Sequence, residues 1–111
     1  MKNKFFAKKT YIGDIKFDSK KEANFYLELN MLRKAVEPNA RVEQITRQPQ
    51  FDIQINGKHI AYYRADFKVI YADGNMKIFD VKGYKKGCAY NLFRLKKKLV
   101  EAIYNIEIIE V

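Results

Sequence analysis

The stretch 65–83, ADFKVIYADGNMKIFDVKG, constrains the fold more than any other part of the chain. Two runs rich in Phe, Val, Ile and Tyr flank the Asp-Gly pair at 73–74, which is the pattern of a β-hairpin. The first strand carries Asp66, and the second carries Asp80 and Lys82. The second strand has the composition of a central buried strand, where an unpaired charge is costly. These charged side chains therefore need a structural or chemical reason.

The loop length of this hairpin decides whether the two carboxylates meet. A two-residue turn would place Asp66 and Asp80 on opposite faces of the sheet. A loop of three residues, 72–74, requires Gly74 in the left-handed conformation. It would place Asp66 opposite Asp80, about 5 Å away on the same face, and Lys82 would share that face. We therefore predict a three-residue loop, or a β-bulge that has the same effect on the register.

The tripeptide Asp-x-Lys occurs several times in the chain and identifies nothing by itself. A second possible pair, Asp52 with Asp66, fails on distance. A two-residue turn at 56–57 pairs Asp52 with Ala61, and Asp66 then lies roughly 17 Å further along the strand. Asp66 considered alone fits a solvated strand face equally well. Asp66 opposed to Asp80, however, destabilises a sheet unless a cation lies between them. We therefore predict a divalent-metal site at Asp66 and Asp80.

The whole chain predicts a single α/β domain over residues 1–111, with a mixed β-sheet flanked by helices. A short extended arm or hairpin around Gly13 precedes elements in the order α-β-β-β-β-α-β. These elements are a helix from about Ser19 to Ala35, strands at about 42–48, 50–56, 59–71 and 76–82, a helix over about 88–103 and a final strand within 106–111.

The first predicted helix begins with Ser19-Lys20-Lys21-Glu22, which is a capping-box pattern. Glu22 can therefore reach back and cap its own helix. It can also be a third carboxylate that the helix brings to the edge of the site at Asp66 and Asp80. The two roles do not exclude each other.

The second predicted helix is basic and amphipathic. Its apolar stripe, which we expect to face the core, consists of Leu92, Leu95, Leu99, Ala102 and Ile103. Arg94 and Lys97 point away from this stripe, whereas Lys96 falls inside it. Lys96 either extends to the edge of the helix or points over the sheet towards the carboxylates, where a phosphate would lie. Lys85 and Lys86, in the loop before the helix, are candidate phosphate contacts.

The net charge of +9, from 22 basic and 13 acidic side chains, favours an anionic partner, most often nucleic acid. A merely soluble basic protein is the alternative. Cys88 is the single cysteine and cannot form an internal disulfide, so we expect a reducing, cytoplasmic environment. No run is apolar enough to cross a bilayer, and MKNKFFAKKT is too short and too charged for a signal peptide. We expect no membrane partner.

Single histidine and tyrosine positions are weaker signals. His59 lies beside the predicted Asn-Gly turn, where a solvated position is expected. Tyr62, Tyr63 and Tyr71 could stack on bases, but packing within the sheet is the better-supported role.

Taken together, these segments resemble the PD-(D/E)xK nuclease superfamily, and more closely its small phage-encoded members related to archaeal-type Holliday-junction resolvases. The matching segments are FDSKKEANFYLEL, RQPQFDI, YYRADF, FDVKG and NLFRLKKKL, which span about residues 10–103. Ala65 stands where the superfamily name has proline, and Asp80 takes the Asp/Glu position. The resemblance implies a restriction-endonuclease-like fold, with Mg²⁺- or Mn²⁺-dependent hydrolysis of DNA phosphodiester bonds that leaves a 5′-phosphate.

The resemblance also implies roles for individual residues. Asp66, Asp80 and the Val81 carbonyl would hold the metal ion, with Glu22 completing the site directly or through water. Lys82 would orient the attacking water or stabilise the developing negative charge. The implied substrate is DNA, such as a four-way junction or other branched DNA, and by analogy with resolvases the protein would be a two-fold homodimer.

Two other classes of function fit the same basic composition. One is a non-catalytic DNA-binding module that keeps the nuclease fold. The other is an RNA-binding protein that uses the basic helix and the tyrosines. Only the nuclease requires Asp66, Asp80 and Lys82 to converge.

Overall fold

The structure, a computed structural model, describes residues 9–83 and 85–111; residues 1–8 of the predicted domain and Tyr84 of the predicted loop 83–87 lie outside it. This part of the chain is a mixed α/β structure. Its strands are β1 (Thr10–Ile12), β2 (Ile15–Phe17), β3 (Val42–Arg47), β4 (Gln50–Ile55), β5 (Lys58–Arg64), β6 (Phe67–Tyr71), β7 (Met76–Asp80) and β8 (Ile108–Glu110). Its α-helices are α1 (Lys20–Met31), followed by a 3₁₀ turn at Leu32–Lys34, and α2 (Gly87–Tyr104). Neither α-helix is long and apolar enough to span a bilayer.

The central sheet has four strands in the order β3-β6-β7-β8. Strands β7 and β8 are parallel, and the other neighbours are antiparallel. Two separate hairpins, β1–β2 and β4–β5, complete the described strands. The predicted α/β class, the mixed sheet and the hairpin around Gly13 are confirmed.

The predicted strand over 59–71 is wrong as one strand, because Ala65 and Asp66 separate β5 from β6. The strands that pair with β6 and β5, which are β3 and β4, are interrupted at the same height in the sheet. There Gln48 has a φ of +54° and is followed by Pro49. The Gln48 N–H donates to the Asp66 carbonyl (2.9 Å), and the Ala65 N–H donates to the Pro49 carbonyl (3.0 Å). The regular strand pairing is therefore interrupted on both neighbouring segments at once. Asp66 lies at this interruption rather than inside a continuous strand.

The β6–β7 hairpin has the predicted three-residue loop. The Tyr71 N–H donates to the Asn75 carbonyl, and the Gly74 N–H donates to the Tyr71 carbonyl, each at 2.9 Å. Gly74 has a φ of +89°, as the loop requires. In the resulting register, Asp66 precedes the first pair of the hairpin and Asp80 follows it. The predicted loop is confirmed, whereas the strand pairs end at Phe67 with Phe79 and do not include the predicted pair of Asp66 with Asp80. The Asp66 N–H donates instead to the Phe79 carbonyl at 3.1 Å.

The β4–β5 hairpin has the predicted two-residue turn at Asn56–Gly57, but a register shift follows it between Ile53 and Gln54. Asp52 therefore pairs with Tyr62, and its predicted pairing with Ala61 is wrong by one residue. An extra residue on one strand of a hairpin shifts the register in this way.

The two α-helices cover opposite faces of the central sheet. One apolar cluster joins α1 residues such as Leu29 to Val69 and Phe79. A second cluster joins Phe93 of α2 to Ile78 and to the β4–β5 hairpin. Ile78 and Phe79 are consecutive on β7, so their side chains point to opposite faces. Strand β7 is therefore buried on both sides, as predicted.

The predicted core-facing stripe of α2 is wrong at most of its positions, although Leu99 does pack against the core. The helix buries Phe93 and Val100, whereas Leu92, Leu95 and Ile103 are 53%, 56% and 43% exposed. The reason is the aromatic packing on the other side of the helix, where the Phe93 ring lies 6.1 Å from that of Tyr63.

We predict that Gly74→Ala lowers the free energy of unfolding by about 1 kcal/mol, because an alanine Cβ is strained at this positive φ. No atom would contact the added Cβ, so strain is the only cost. Gly83→Ala is the matched control, because Gly83 has equal space and no left-handed φ. Urea denaturation of both variants measures the difference, and equal losses would contradict the loop conformation.

Candidate functional site

Asp80 is a buried carboxylate, 4% exposed, at the end of the central strand β7. Both of its oxygens have partners. The Lys82 Nζ lies 3.2 Å from Oδ1, and the Tyr63 hydroxyl donates to Oδ2. Burial and this hydrogen bond raise the pKa of Tyr63, so the hydroxyl keeps its proton and remains a donor. The charge that looked costly in the sequence is thus compensated by a cation and a donor.

Asp66 lies at the break between β5 and β6, and its Oδ2 accepts a hydrogen bond from the Val81 N–H at 2.7 Å. Burial and, next, the negative charge of Asp80 raise the pKa of Asp66 to about 7, although the Val81 hydrogen bond opposes the shift. The two carboxylates are therefore close enough to repel each other. A proton on Asp66 or a bound cation would relieve the repulsion.

Glu22 lies in the first turn of α1, next to the N-cap of the helix. Its backbone N–H donates to the Ser19 hydroxyl at 3.0 Å, so Ser19 is the predicted N-cap. Its carboxylate is buried at 5% exposure. The pKa of Glu22 is raised, and burial is the largest cause. The negative charges of Asp18 and Asp80 add to the shift, and the positive charge of Arg47 opposes it. Glu22 thus lies within electrostatic range of the carboxylate pair.

The described residues contain no group of three or more His, Cys, Asp or Glu side chains placed to hold a metal ion. Glu22 therefore does not converge with Asp66 and Asp80 into a three-carboxylate site. Two carboxylates next to the Val81 main chain still offer the oxygen donors that Mg²⁺ and Mn²⁺ prefer, with water filling the other positions. Such an ion would neutralise the two negative charges and so remove their mutual repulsion. The residues present fit a divalent ion held by two carboxylates.

An open cavity of about 230 Å³ adjoins Asp80. Asp80, Lys82 and Tyr63 line it from the sheet, and Phe93 and Lys96 line it from α2. Of the two placements left open for Lys96, the structure therefore favours the one over the sheet. Arg64 adds a further positive charge to the wall. A cavity with one carboxylate and three cations is suited to an anion such as a phosphate.

Lys82 is held in one place by several contacts. Its Nζ lies 3.7 Å from the centre of the Phe93 ring as well as beside Asp80. The backbone N–H of Lys82 donates to the Val111 carbonyl (3.0 Å), and its backbone carbonyl accepts a hydrogen bond from the Lys21 Nζ (2.7 Å). The ammonium group is therefore positioned at the cavity wall, where it can contact a bound anion.

The predicted DNA contacts fall into two groups. Lys85, Lys86 and Arg94 are exposed, as a phosphate contact requires. Lys97 differs, because its Nζ lies 3.3 Å from Glu110, whose other oxygen accepts from a tyrosine hydroxyl. Lys97 lies away from the leucine stripe, as expected, and α2 turns its side chain towards β8.

Tyr63 is the residue that the sequence reasoning missed, since it was assigned to packing alone. It is buried between the rings of Phe51 and Phe93, and only its hydroxyl reaches the site. The charged Arg64 between Tyr63 and Ala65 is a sequence signal that could have indicated that Tyr63 faces inwards together with Ala65. Nothing in the sequence indicated that its hydroxyl meets Asp80.

A family model described as "Protein of unknown function (DUF1064)" matches residues 2–109. No curated protein and no solved structure matches the chain.

We predict that Tyr63→Phe lowers the free energy of unfolding by about 2 kcal/mol, because Asp80 loses a buried donor. Tyr62→Phe is the control. Tyr62 is exposed, and losing its hydroxyl should cost less than about 0.5 kcal/mol. Urea denaturation in EDTA gives both values. Equal, small effects would show that the Tyr63 hydroxyl does not stabilise the Asp80 carboxylate.

We also predict that the metal-free protein loses stability as the pH rises from about 4 to 7. In this window Asp66 binds a proton in the folded state but not in the unfolded state, because its folded pKa of about 7 exceeds its ordinary value. Stability then levels off above the folded pKa. Asp66→Asn should reduce the loss by about 1 kcal/mol or more over this range. Denaturation at several pH values measures it, with the exposed Asp14→Asn as control. A wild-type slope in Asp66→Asn would contradict the repulsion.

Proposed function

The chain belongs to the DUF1064 family, whose function is unknown, and from its own residues we propose that it is a divalent-metal-dependent DNA endonuclease. One observation carries this proposal. The open end of the β6–β7 hairpin brings Asp66 and Asp80 close together, and Lys82 lies 3.2 Å from Asp80 at the wall of a basic cavity. A sheet has no structural need for opposed carboxylates, which destabilise it.

The proposed fold is restriction-endonuclease-like. The four-stranded mixed sheet between α1 and α2 supports this proposal, as does the position of Asp80 at the end of the central strand. The segments that resemble PD-(D/E)xK nucleases supply α1, the β4 and β5 strands, β7 and α2.

The proposed metal ligands are Asp66, Asp80 and the Val81 carbonyl, and Glu22 acts through water or through its charge. When bound, Mg²⁺ or Mn²⁺ would polarise the scissile phosphate and acidify a water molecule. The protein's own groups orient the reaction. Tyr63 fixes the Asp80 carboxylate, and Lys82 contacts a phosphate oxygen and stabilises negative charge on it.

The proposed substrate is DNA, and branched DNA such as a four-way junction in particular. Lys96 and Arg64 attract the phosphate into the cavity, and the exposed Lys85, Lys86 and Arg94 contact neighbouring phosphates. Two strands must be cut to resolve a junction, so we propose that the enzyme acts as a homodimer.

A non-catalytic DNA-binding module is the second candidate, and one observation favours it. Both Asp80 oxygens already have partners within the protein, and no third carboxylate joins the pair among the described residues. In that case the carboxylates are neutralised by Lys82 and by a proton, and no metal ion is required.

We predict that the purified protein cuts labelled four-way junctions with Mg²⁺ or Mn²⁺ and does not cut them in EDTA. Asp80→Asn should lower the rate by about 100-fold or more, because a bound metal contributes several kcal/mol to catalysis. Asp14→Asn, which alters an exposed Asp-x-Lys tripeptide, is the matched control and should cut normally. Nicked and linear duplexes in parallel assays define the preferred substrate.

Binding measured beside cleavage separates the two candidates. Tight junction binding without cutting under either ion, unchanged in Asp80→Asn, would overturn the nuclease and favour the binding module. Thermal unfolding gives a further comparison, because Mg²⁺ should raise the Tm of the wild type but not that of Asp80→Asn.

A further inference from the structure

Helix α2 has an exposed apolar seam on the side away from its buried face. The seam consists of Cys88, Leu92, Leu95, Leu99 and Ala102. Leu92 and Leu95 are 53% and 56% exposed, and Ile103 beside them is 43% exposed. Within residues 9–83 and 85–111, Phe93 and Val100 are the buried core residues of α2, and the half-buried Leu99 packs against the same cluster from the edge of the seam. The exposed leucines of the seam, Leu92 and Leu95, are therefore additional to the apolar face that the fold needs.

The spacing of the seam indicates what kind of surface would cover it. Its residues follow one another at alternating intervals of four and three positions, which is the repeat of helix-to-helix packing. Side chains at this spacing interdigitate with a second helix as knobs into holes. Isolated exposed leucines need no explanation, but an ordered row of them marks an interaction surface.

The flanks of the seam are basic. Lys96 follows Leu95, and Lys98 precedes Leu99, so both lie at the positions that set partner choice in helix pairs. An open cavity of about 250 Å³ beside Leu95 is lined further by Arg94 and Lys98. Glu101 precedes Ala102, but its carboxylate accepts a hydrogen bond from the Ile108 N–H, so the charged side chains beside the exposed leucines are basic. A matching helix must therefore bring acidic flanks.

We propose that an amphipathic helix of another protein, with an apolar seam flanked by Asp or Glu, binds this face of α2. A second copy of the chain is a poorer match, because two such faces would oppose lysine to lysine. The chain's own residues 1–8 carry lysines and no acid, so they lack the same complementarity.

The seam also borders the candidate active site. Ala89, Leu92 and Lys96 line the cavity that contains Asp80 and Lys82. A helix bound along the seam therefore lies at the mouth of the cavity. Its acidic side chains pair with Lys96, which a nucleic acid would otherwise contact. We expect the bound helix to compete with DNA. The docking itself is independent of metal binding and of catalysis.

The probe for the first test is a synthetic helical peptide with leucines at seam spacing and glutamates on both flanks. A control peptide carries lysines in place of the glutamates. Calorimetric titration of the full chain in EDTA should show binding of the acidic peptide only. Leu95→Ser should weaken that binding by at least about tenfold, since it removes the central seam residue. Met31→Ser, at an exposed apolar residue of α1, should leave it unchanged.

A charge exchange tests the flanks. The double variant Lys96→Glu with Lys98→Glu should lose the acidic peptide and bind the lysine peptide instead. Competition with labelled DNA on Asp80→Asn shows whether the peptide covers the cavity, and this readout needs no cleavage. Circular dichroism verifies that each variant is folded.

Several results would overturn the proposal. They are the absence of acidic-peptide binding, equal binding of the two peptides, and equal effects of Leu95→Ser and Met31→Ser. A concentration-dependent dimer in sedimentation that Leu95→Ser abolishes would assign the seam to a second copy instead. Failure of DNA cleavage with intact peptide binding would overturn only the nuclease.

Discussion

The opposition of Asp66 and Asp80 is the constraint on which the rest of the site depends. The carboxylates lie close together because the hairpin loop fixes the register, and the register is fixed because the flanking strands are buried. The fold compensates the repulsion only in part. Lys82 and the Tyr63 hydroxyl compensate Asp80, and the Val81 N–H compensates Asp66. Burial and, next, the negative charge of Asp80 nevertheless raise the pKa of Asp66 to about 7.

The break in the sheet beside Asp66 makes this arrangement possible. If β5 and β6 were one continuous strand, the Asp66 carboxylate would project straight from the pleat. Instead, the bend at Gln48 and Pro49 lets the carboxylate meet the Val81 N–H, directly after the end of β7. Helix α2 then closes the other side, because Phe93 supports both the Tyr63 ring and the Lys82 ammonium. The same aromatic contacts that hold the core therefore position the donors to Asp80.

Much of this could be predicted from the sequence, because short-range rules govern it. The loop of the β6–β7 hairpin follows from Gly74 and the parity of the strands, and the N-cap of α1 follows from Ser19. The break at Ala65 and Asp66 could not be predicted in the same way. Its cause lies on the partner strand at Pro49, which is distant in sequence. The meeting of the Tyr63 hydroxyl with Asp80 is likewise a tertiary contact with no local signal.

The two faces of α2 show why periodicity alone misassigned its packing. The helix has two apolar arcs, one with Phe93 and Val100 and one with the leucine seam, and the seam has the more regular spacing. Aromatic partners in the β4–β5 hairpin decide in favour of the first arc. Both arcs meet at the cavity, since Phe93 and Leu92 line it together. The basic charge of α2 is divided accordingly: Lys96 faces the cavity, Lys97 is paired with Glu110, and Lys98 flanks the seam. The excess of lysine in this helix is therefore not a single DNA-binding stripe, and its members should respond differently when each is replaced.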